Sequence, residues 1–434
     1  MRLALALLAA LPAAPALADA VTFVGTLGGR DIVVELTQPS DGAVAGRFAY
    51  LDTGGDVPLV PVSHDGNRWV LQEEAPCGED DCVLADDGTV LEAPIAAIWE
   101  LAYEPESYLA FGTRRSAGGK AKQSPLALSV VAWRPLEAGE APTARALHER
   151  SFRAYYDDAI VLDWPGAPYE MALLEVPPEA GETRRMGGAS YRYVTDPRTR
   201  FAFPRAVAFA GGEPVEPVNA ILARRHYRMS LAALDCLAYR YASYGAGGGF
   251  SGMGGTLGDY DGEQVTLTYL SPRVVSWTQS GSLWCAGAHP YNHHDSHTYD
   301  VAAGTALPLE KIFSAWVPRE WGGAPEAIVA PDAADADRVY NWGPSPALIA
   351  YVRDRLPAEL LFEDAETDAA CYGEQALADQ LDIRFAAPLE AVFTLSGFPH
   401  VLSVCNGDLF SVPLSELREF LGPEAAGYFP ELAE

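Results

Sequence analysis

The stretch from Leu283 to Trp316 decides how the second half of the chain is interpreted. It reads LWCAGAHPYNHHDSHTYDVAAGTALPLEKIFSAW and contains four of the eight histidines in the chain. The strand-like segments Arg273–Ser280 and Thr298–Val301 flank the histidines, and Gly304 marks a turn before the helical pattern of Leu307–Phe313. This order predicts a strand, a polar loop, a second strand and a short helix.

The histidines of this stretch follow the pattern H-x3-H-H-x2-H. Zinc is held by three or four nitrogen, sulfur or oxygen ligands, so histidines that share one loop can share a metal ion. A histidine in a turn can instead bond the backbone, and the segment has no HExxH helix of the kind found in zinc proteases. A zinc site is therefore kept as an alternative hypothesis, with these ligands: His289, His293, His294 and His297.

Aromatic side chains concentrate in the same region. Tyrosine and tryptophan are enriched at recognition surfaces, and they also fill hydrophobic cores. We predict a binding surface that includes Trp277, Trp284, His289 and Tyr291, with burial in the core as the alternative for each aromatic side chain. No catalytic residue is predicted, since the chain contains no G-x-S-x-G nucleophile motif.

The order of motifs around the histidines resembles a known domain. Ala286-Gly287-Ala288-His289 follows a strand, Thr298-Tyr299-Asp300-Val301 leads into Gly304, and Leu307-Pro308-Leu309-Glu310-Lys311-Ile312-Phe313 comes next. This order is similar to the C-terminal domain of RsiV-type anti-sigma factors, which some exported peptidoglycan deacetylases share. The resemblance covers about residues 220–420.

The resemblance implies an α+β fold with helices packed on an antiparallel sheet, and recognition of lysozyme by the extracytoplasmic module. Ala286 stands where the family usually has a glycine. The chain also lacks the transmembrane helix and cytoplasmic sigma-binding segment of the anti-sigma factors, and it lacks a deacetylase domain. Neither the anti-sigma role nor deacetylation is therefore carried over to this chain.

The N-terminal part is predicted to be a leader followed by an all-β domain. Residues 1–18 have the basic start, apolar run and small-residue junction of a secretory signal peptide, cleaved after Ala18 or, alternatively, Ala20. Short alternating strands between glycine and aspartate turns then predict an antiparallel β-sandwich or barrel over residues 21–135. Residues 136–150 are interpreted as a linker, and residues 151–434 as the RsiV-like α+β domain.

Several later segments have clear local signals. The longest helical pattern runs from Asn219, a candidate cap, to Tyr244. Ser345 followed by Pro346 predicts the start of another helix that runs to about Leu361. Strands are predicted at Leu381–Phe385, Glu390–Leu395 and His400–Val404, followed by a terminal helix at Pro413–Leu421.

The charge balance excludes some classes of partner. The chain has 59 acidic residues against 30 lysines and arginines, for a formal net charge of −29. Nucleic acids and anionic membrane surfaces require clustered basic residues, so neither is expected as a partner. No stretch after the leader has the roughly 18 apolar residues of a membrane span. A basic protein partner is compatible with the charge, and so is a simple role of acidity in solubility.

The chain contains an even number of cysteines, which in an exported protein predicts disulfides. Six cysteines allow 15 pairings. We expect the pairs Cys77–Cys82, Cys236–Cys285 and Cys371–Cys405.

These observations favour a non-catalytic binding module that is exported to the periplasm or beyond. Its expected partner is lysozyme, another cell-envelope protein or a glycan. The alternative function is a metal-binding protein or metal-dependent hydrolase that uses the segment from His289 to His297. A third hypothesis is a purely structural envelope protein.

Overall fold

The computed structural model describes residues 19–38, 43–77, 82–86, 90–118, 122–136, 140–156, 161–245, 263–283, 291–320, 324 and 340–433. The chain forms two compact units. The barrel unit comprises Met1–Val176 and Leu231–Gly255, and the sheet unit comprises Pro177–Ser230 and Thr256–Glu434. This division differs from the predicted boundary at residue 150, because the barrel unit takes in two later segments. The predicted signal peptide lies outside the described residues.

The barrel unit is built on eight antiparallel strands that close into a barrel in the order β1-β10-β9-β8-β5-β4-β3-β2. Of the two predicted all-β architectures, the barrel is confirmed. A separate two-stranded hairpin, β6 and β7, is inserted between β5 and β8. The strand bounds are β1 Asp19–Leu27, β2 Arg30–Gln38, β3 Gly46–Tyr50, β4 Val57–Asp65, β5 Arg68–Glu74, β6 Val83–Leu84, β7 Val90–Glu92, β8 Ile95–Glu104, β9 Leu109–Ser116 and β10 Gln123–Pro135.

The barrel closes around an apolar interior because its strands alternate inward and outward side chains. Phe23, Ile32, Phe48 and Trp99 are fully buried in this core. The Phe48 and Trp99 rings lie 4.7 Å apart between centroids. The interior is therefore filled by side chains, which is the usual state of a small barrel.

Short helical segments cover parts of the barrel. Helix α1 spans Ala144–Tyr156 and helix α2 spans Pro168–Leu174. Two 3-10 turns follow α3, Leu237–Arg240 and Ala242–Tyr244; Tyr241 between them and Tyr244 in the second are buried in the barrel core. The predicted linker over residues 136–150 is wrong in its second half, because α1 begins there and buries Leu147 and His148.

The described residues of the sheet unit form four small antiparallel sheets with the orders β11-β12-β13, β14-β15-β16-β17, β18-β19 and β20-β21-β22. The strand bounds are β11 Glu179–Met186, β12 Ala189–Thr195, β13 Ala202–Phe209, β14 Gln264–Leu270, β15 Val274–Leu283, β16 Tyr291–Asp300, β17 Thr305–Ala306, β18 Trp316–Glu320, β19 Tyr340–Pro344, β20 Leu381–Ala386, β21 Glu390–Leu395 and β22 Gly407–Pro413. Mixed with helices, these sheets give a β-rich α+β fold, as expected in outline.

The helices are shorter than the sequence predicted. Their bounds are α3 Glu216–Cys236, α4 Leu309–Ile312, α5 Pro346–Arg353, α6 Ala365–Tyr372, α7 Glu374–Gln380 and α8 Ala425–Tyr428. Within the described ranges, none is both long and apolar enough to cross a bilayer. Ser345 is confirmed as the cap of α5, where its side chain accepts a hydrogen bond from the Leu348 backbone nitrogen.

Three local predictions are wrong. Asn219 does not cap α3, which begins at Glu216; its side chain instead bonds the backbone of Ala206 through both its oxygen and its nitrogen. The segment His400–Cys405 is a 3-10 helix, and the predicted strand lies later as β22. The predicted terminal helix is also replaced, because Pro413 ends β22 and Leu414–Leu417 is a 3-10 turn.

Two of the predicted disulfides, Cys77–Cys82 and Cys371–Cys405, are confirmed. Cys236 is also disulfide-bonded, and its predicted partner Cys285 lies outside the described residues. Cys371 and Cys405 are buried in the core of the sheet unit. This bridge therefore ties α6 to the 3-10 helix that precedes β22.

Removal of the Cys371–Cys405 bridge is expected to cost more stability than removal of Cys77–Cys82. The two bridges join cysteines 34 and 5 residues apart in sequence. Loop-closure entropy then gives about 4 kcal/mol for the first and about 2 kcal/mol for the second. Urea unfolding of the two Cys→Ser double variants measures both. Equal losses would show that loop size does not determine the stabilisation here.

Candidate functional site

The predicted histidine loop is a strand. Strand β16 pairs with β15 along its whole length, with His297 opposite Trp277 and His293 opposite Gly281. The sequence of β16 lacks the apolar alternation that marks a strand, and the strand forms through its pairing with β15. Strand alternation places His293, Asp295 and His297 on one face and His294 on the other. His289 lies outside the described residues.

His293 is held between two carboxylates. Its Nδ1 lies 2.8 Å from Oδ2 of Asp295, and its Nε2 lies 2.8 Å from Oε2 of Glu263. The side chain is only 2% exposed. Burial lowers its pKa, but the hydrogen bonds to Asp295 and Glu263 outweigh burial and raise the pKa to about 9. His293 is therefore a protonated cation at neutral pH, and both its nitrogens donate hydrogen bonds.

The protonation state of His297 is opposite to that of His293. Burial, reinforced by the positive charge of Arg225, lowers its pKa to about 3. Its ring packs against Trp277 with 5.2 Å between centroids. This imidazole is neutral at physiological pH. Within the part of the chain that the structure describes, its Nε2 is buried and makes no hydrogen bond.

His294 faces away from this pair. Its Nε2 lies 3.1 Å from Oδ1 of Asp408 on β22. Arg384 on β20 donates to the other oxygen of the same carboxylate. His294 therefore belongs to an ion-paired contact between two sheets of the sheet unit.

The three described histidines do not assemble the predicted zinc site. Both ring nitrogens of His293 are taken up by the carboxylates of Asp295 and Glu263, and His294 points to the opposite face of the sheet. Among the residues with described positions, no group of three or more histidine, cysteine, aspartate or glutamate side chains is arranged to hold a metal ion. The arrangement does not fit a zinc site made by these residues, and zinc binding by the chain stays a prediction for metal analysis.

Trp277 is fully buried. Its ring stacks on Tyr299 with 5.2 Å between centroids and meets Phe203 edge-on at 5.7 Å. Its predicted place on a binding surface is therefore wrong, because Phe203 on β13 and Tyr299 on β16 cover it. Trp284 lies outside the described residues, and only the backbone of Tyr291, at the start of β16, is described.

A small cavity lies at the edge of β16. It measures about 190 Å³, and its lining includes Ser296, His297 and Asp382. Burial raises the pKa of Asp382 to about 6, so the cavity contains a neutral imidazole beside a carboxylate. Sites for drug-sized ligands usually measure about 300–1,000 Å³. This cavity is smaller than that range and has no room for a glycan chain.

A second cluster of charges, not predicted from the sequence, lies in the barrel unit. Arg47 on β3 sits opposite Glu35 on β2 and donates to it at 2.9 Å. It also donates to Asp56 at 2.9 Å and to Glu170 on α2 at 2.7 Å. All four side chains are at most 5% exposed. Arg47 thus links α2 to the wall of the barrel.

His148 on α1 extends this cluster. Its Nδ1 lies 2.9 Å from Asp56 and its Nε2 lies 2.8 Å from Asp235. Burial lowers its pKa, but the carboxylates of Asp235 and, to a smaller extent, Asp56 outweigh burial and raise the pKa to about 9. Burial raises the pKa of Asp56, yet the positive charge of Arg47 outweighs burial and lowers this pKa to about 2. The cluster is an internal set of ion pairs that fixes α1 and α2, and its groups are not exposed to a partner.

Comparison with known proteins gives no relative from which a function could be transferred. No protein family model, no curated protein and no solved structure matches the chain. The resemblance to the RsiV-type domain therefore stays a prediction from the motifs. The function has to be argued from the charges and surfaces of the chain itself.

Proposed function

We propose that the chain is an exported, non-catalytic binding protein of the cell envelope. Two disulfides support export, because disulfides form and persist in oxidising compartments. The leader-like residues 1–18 support it independently. On this proposal the protein acts in the periplasm or outside the cell.

The main support for the binding role is the location of the negative charge, which lies mostly outside the core. Seven arginines and eight carboxylates are buried among the described residues, so the buried charges nearly cancel. The formal charge of −29 is therefore not neutralised inside the described core. An acidic protein surface accelerates encounter with a basic partner and adds specificity.

The proposed partner is a basic envelope protein of the lysozyme class, which is also what the resemblance to the RsiV-type domain implies. A glycan is the competing partner. A metal-dependent hydrolase is not favoured by any described contact, since both ring nitrogens of His293 are bonded to carboxylates. The proposal thus depends on charge complementarity and on surface recognition.

Calorimetric titration with lysozyme tests this function. We expect saturable binding whose dissociation constant rises about tenfold between about 0.05 M and about 0.3 M salt, because salt screens exposed charges. Binding that is insensitive to salt would contradict charge complementarity. No heat at either salt concentration would remove lysozyme as the partner.

A further inference from the structure

The two ends of the barrel differ in what covers them. Residues 237–244 of the same unit pack at one end, where Ser243 donates to Glu74 at the end of β5, and Tyr241 and Tyr244 are buried in the barrel core. The opposite end is formed by the start of β1, the end of β10 and the turns β4–β5 and β8–β9. We call this second end the aromatic end and define it by Tyr108, Trp133 and the charged residues around them.

Two large rings at the aromatic end are exposed to solvent. Tyr108 is 54% exposed and Trp133 is 46% exposed. Their ring centroids lie 5.4 Å apart with the planes at 75°. Exposed aromatic side chains that touch each other form a contiguous apolar patch, which in a soluble protein often marks a binding site.

Tyr108 lies close enough to Tyr103 on β8 for the two side chains to interact electrostatically. Tyr103 stacks on Trp69 at 5.3 Å and meets Phe23 edge-on at 6.1 Å. Trp69 is 5% exposed and Phe23 is fully buried. The barrel interior beneath this end is therefore filled, and a partner has to bind on the rim and not inside.

The turn that carries Tyr108 is held in place. The Tyr108 backbone is left-handed, with φ at 57°, a conformation that non-glycine residues rarely adopt. The carbonyl oxygen of Tyr108 accepts a hydrogen bond from the Val130 backbone nitrogen on β10 at 2.9 Å. Such unfavourable backbone conformations persist where the surroundings fix them, and they cluster at functional positions. The ring is thus presented on a fixed turn, which lowers the entropy cost of binding.

The charges around the two rings are mostly negative. At the strand ends and turns of this rim that the structure describes, the carboxylates of Asp65, Glu104 and Glu106 are exposed, and Arg68 is the exposed arginine. The face of an aromatic ring attracts cations, and carboxylates pair with them. Rings and acids together therefore favour a positively charged group.

We propose that the aromatic end of the barrel is a docking surface for a lysine- or arginine-rich protein segment. The cationic side chains lie over the faces of Trp133 and Tyr108, and Glu104 and Glu106 pair with them at the edge. This rests on the proposed binding function and names the surface and the chemistry of the partner. It places recognition in the barrel unit, outside the part of the chain that resembles the RsiV-type domain.

Titration of the full chain with a lysine octapeptide, and separately with lysozyme, tests the surface. Trp133→Ala and Tyr108→Ala are each expected to weaken both interactions about tenfold, as central aromatic contacts do. The double variant Glu104→Gln/Glu106→Gln is expected to weaken them and to reduce their dependence on salt. Trp342→Ala is the matched control, because Trp342 is 42% exposed in the sheet unit, and it is expected to bind like the unaltered chain.

Each alternative outcome overturns the assignment. Unchanged peptide binding in the Trp133 and Tyr108 variants would show that the peptide binds elsewhere on the chain. Binding of a neutral tetrasaccharide in place of the peptide would replace the cationic partner by a glycan. If lysozyme binds the unaltered chain and both ring variants equally well, the docking surface is wrong while the proposed function stands. If neither lysozyme nor the peptide binds, both the docking surface and the proposed function are contradicted.

Discussion

Replacing Arg47 by methionine is expected to lower the free energy of unfolding of the barrel unit by about 3–5 kcal/mol. The guanidinium pairs with Glu35, Asp56 and Glu170, all nearly inaccessible to solvent. Its removal leaves buried carboxylates with fewer cationic partners, and an uncompensated buried charge is strongly destabilising. The cost is large because water cannot reach the carboxylates in the folded state.

Urea unfolding measured by hydrogen exchange of the barrel amides gives this free energy. Arg30→Met is the matched control on the same barrel, because Arg30 pairs with Asp52 in solvent, with side chains 45% and 60% exposed. Exposed pairs contribute at most about 1 kcal/mol. A loss below about 1 kcal/mol for Arg47→Met would show that the buried pairs do not stabilise the barrel.

The second large effect is a pH-dependent one at His293. Its pKa is about 9 in the folded protein against 6.5 for an ordinary histidine. A raised folded-state pKa stabilises the fold fully below pH 6.5, and this contribution is lost as the pH rises through about 9. One pKa unit corresponds to about 1.4 kcal/mol, so this pKa shift contributes about 3 kcal/mol to the stability at acidic pH.

Unfolding of the unaltered chain and of His293→Gln at pH 6 and at pH 9.5 measures the contribution of His293. We expect a gap in unfolding free energy at pH 6 that shrinks by up to about 3 kcal/mol at pH 9.5. His64→Gln, which alters an exposed histidine of the barrel, is expected to show no gap at either pH. A gap that is the same at both values would mean that His293 does not carry a proton between Glu263 and Asp295.

The barrel could be predicted because local pattern determines it. Alternating side chains in short strands predicted a sandwich or a barrel, and the closed barrel followed. The start of helix α1 was missed although its signals are present: Thr143 accepts a hydrogen bond from the Ala146 backbone nitrogen, and Arg145 pairs with Glu149 one turn later. The alanine- and glutamate-rich composition of residues 136–150 was read as a linker instead.

The buried charges could not be predicted because their partners are distant in sequence. Arg47 and Glu170 are separated by 123 residues, and neither has a local motif that marks it as buried. The histidine strand was missed for a related reason. Strand β16 is polar in sequence, and its pairing with β15 is a tertiary contact that overrides local pattern.

The aromatic end was also missed. Trp133 and Tyr108 both fall in the predicted all-β domain, but they are 25 residues apart and nothing in the sequence brings them together. Only closure of the barrel places the end of β10 beside the β8–β9 turn. The predicted surface residue Trp277 is buried, whereas these two unpredicted rings are exposed.

Hydrogen exchange of the full chain, alone and saturated with lysozyme, tests the central claim most directly. Docking at the aromatic end predicts slower exchange in the β4–β5 turn, residues 65–68, and in the β8–β9 turn, residues 104–109, with little change in the sheet unit. Slower exchange confined to the sheet unit would contradict that claim and would favour recognition by the part that resembles the RsiV-type domain. No change anywhere would contradict binding of lysozyme altogether.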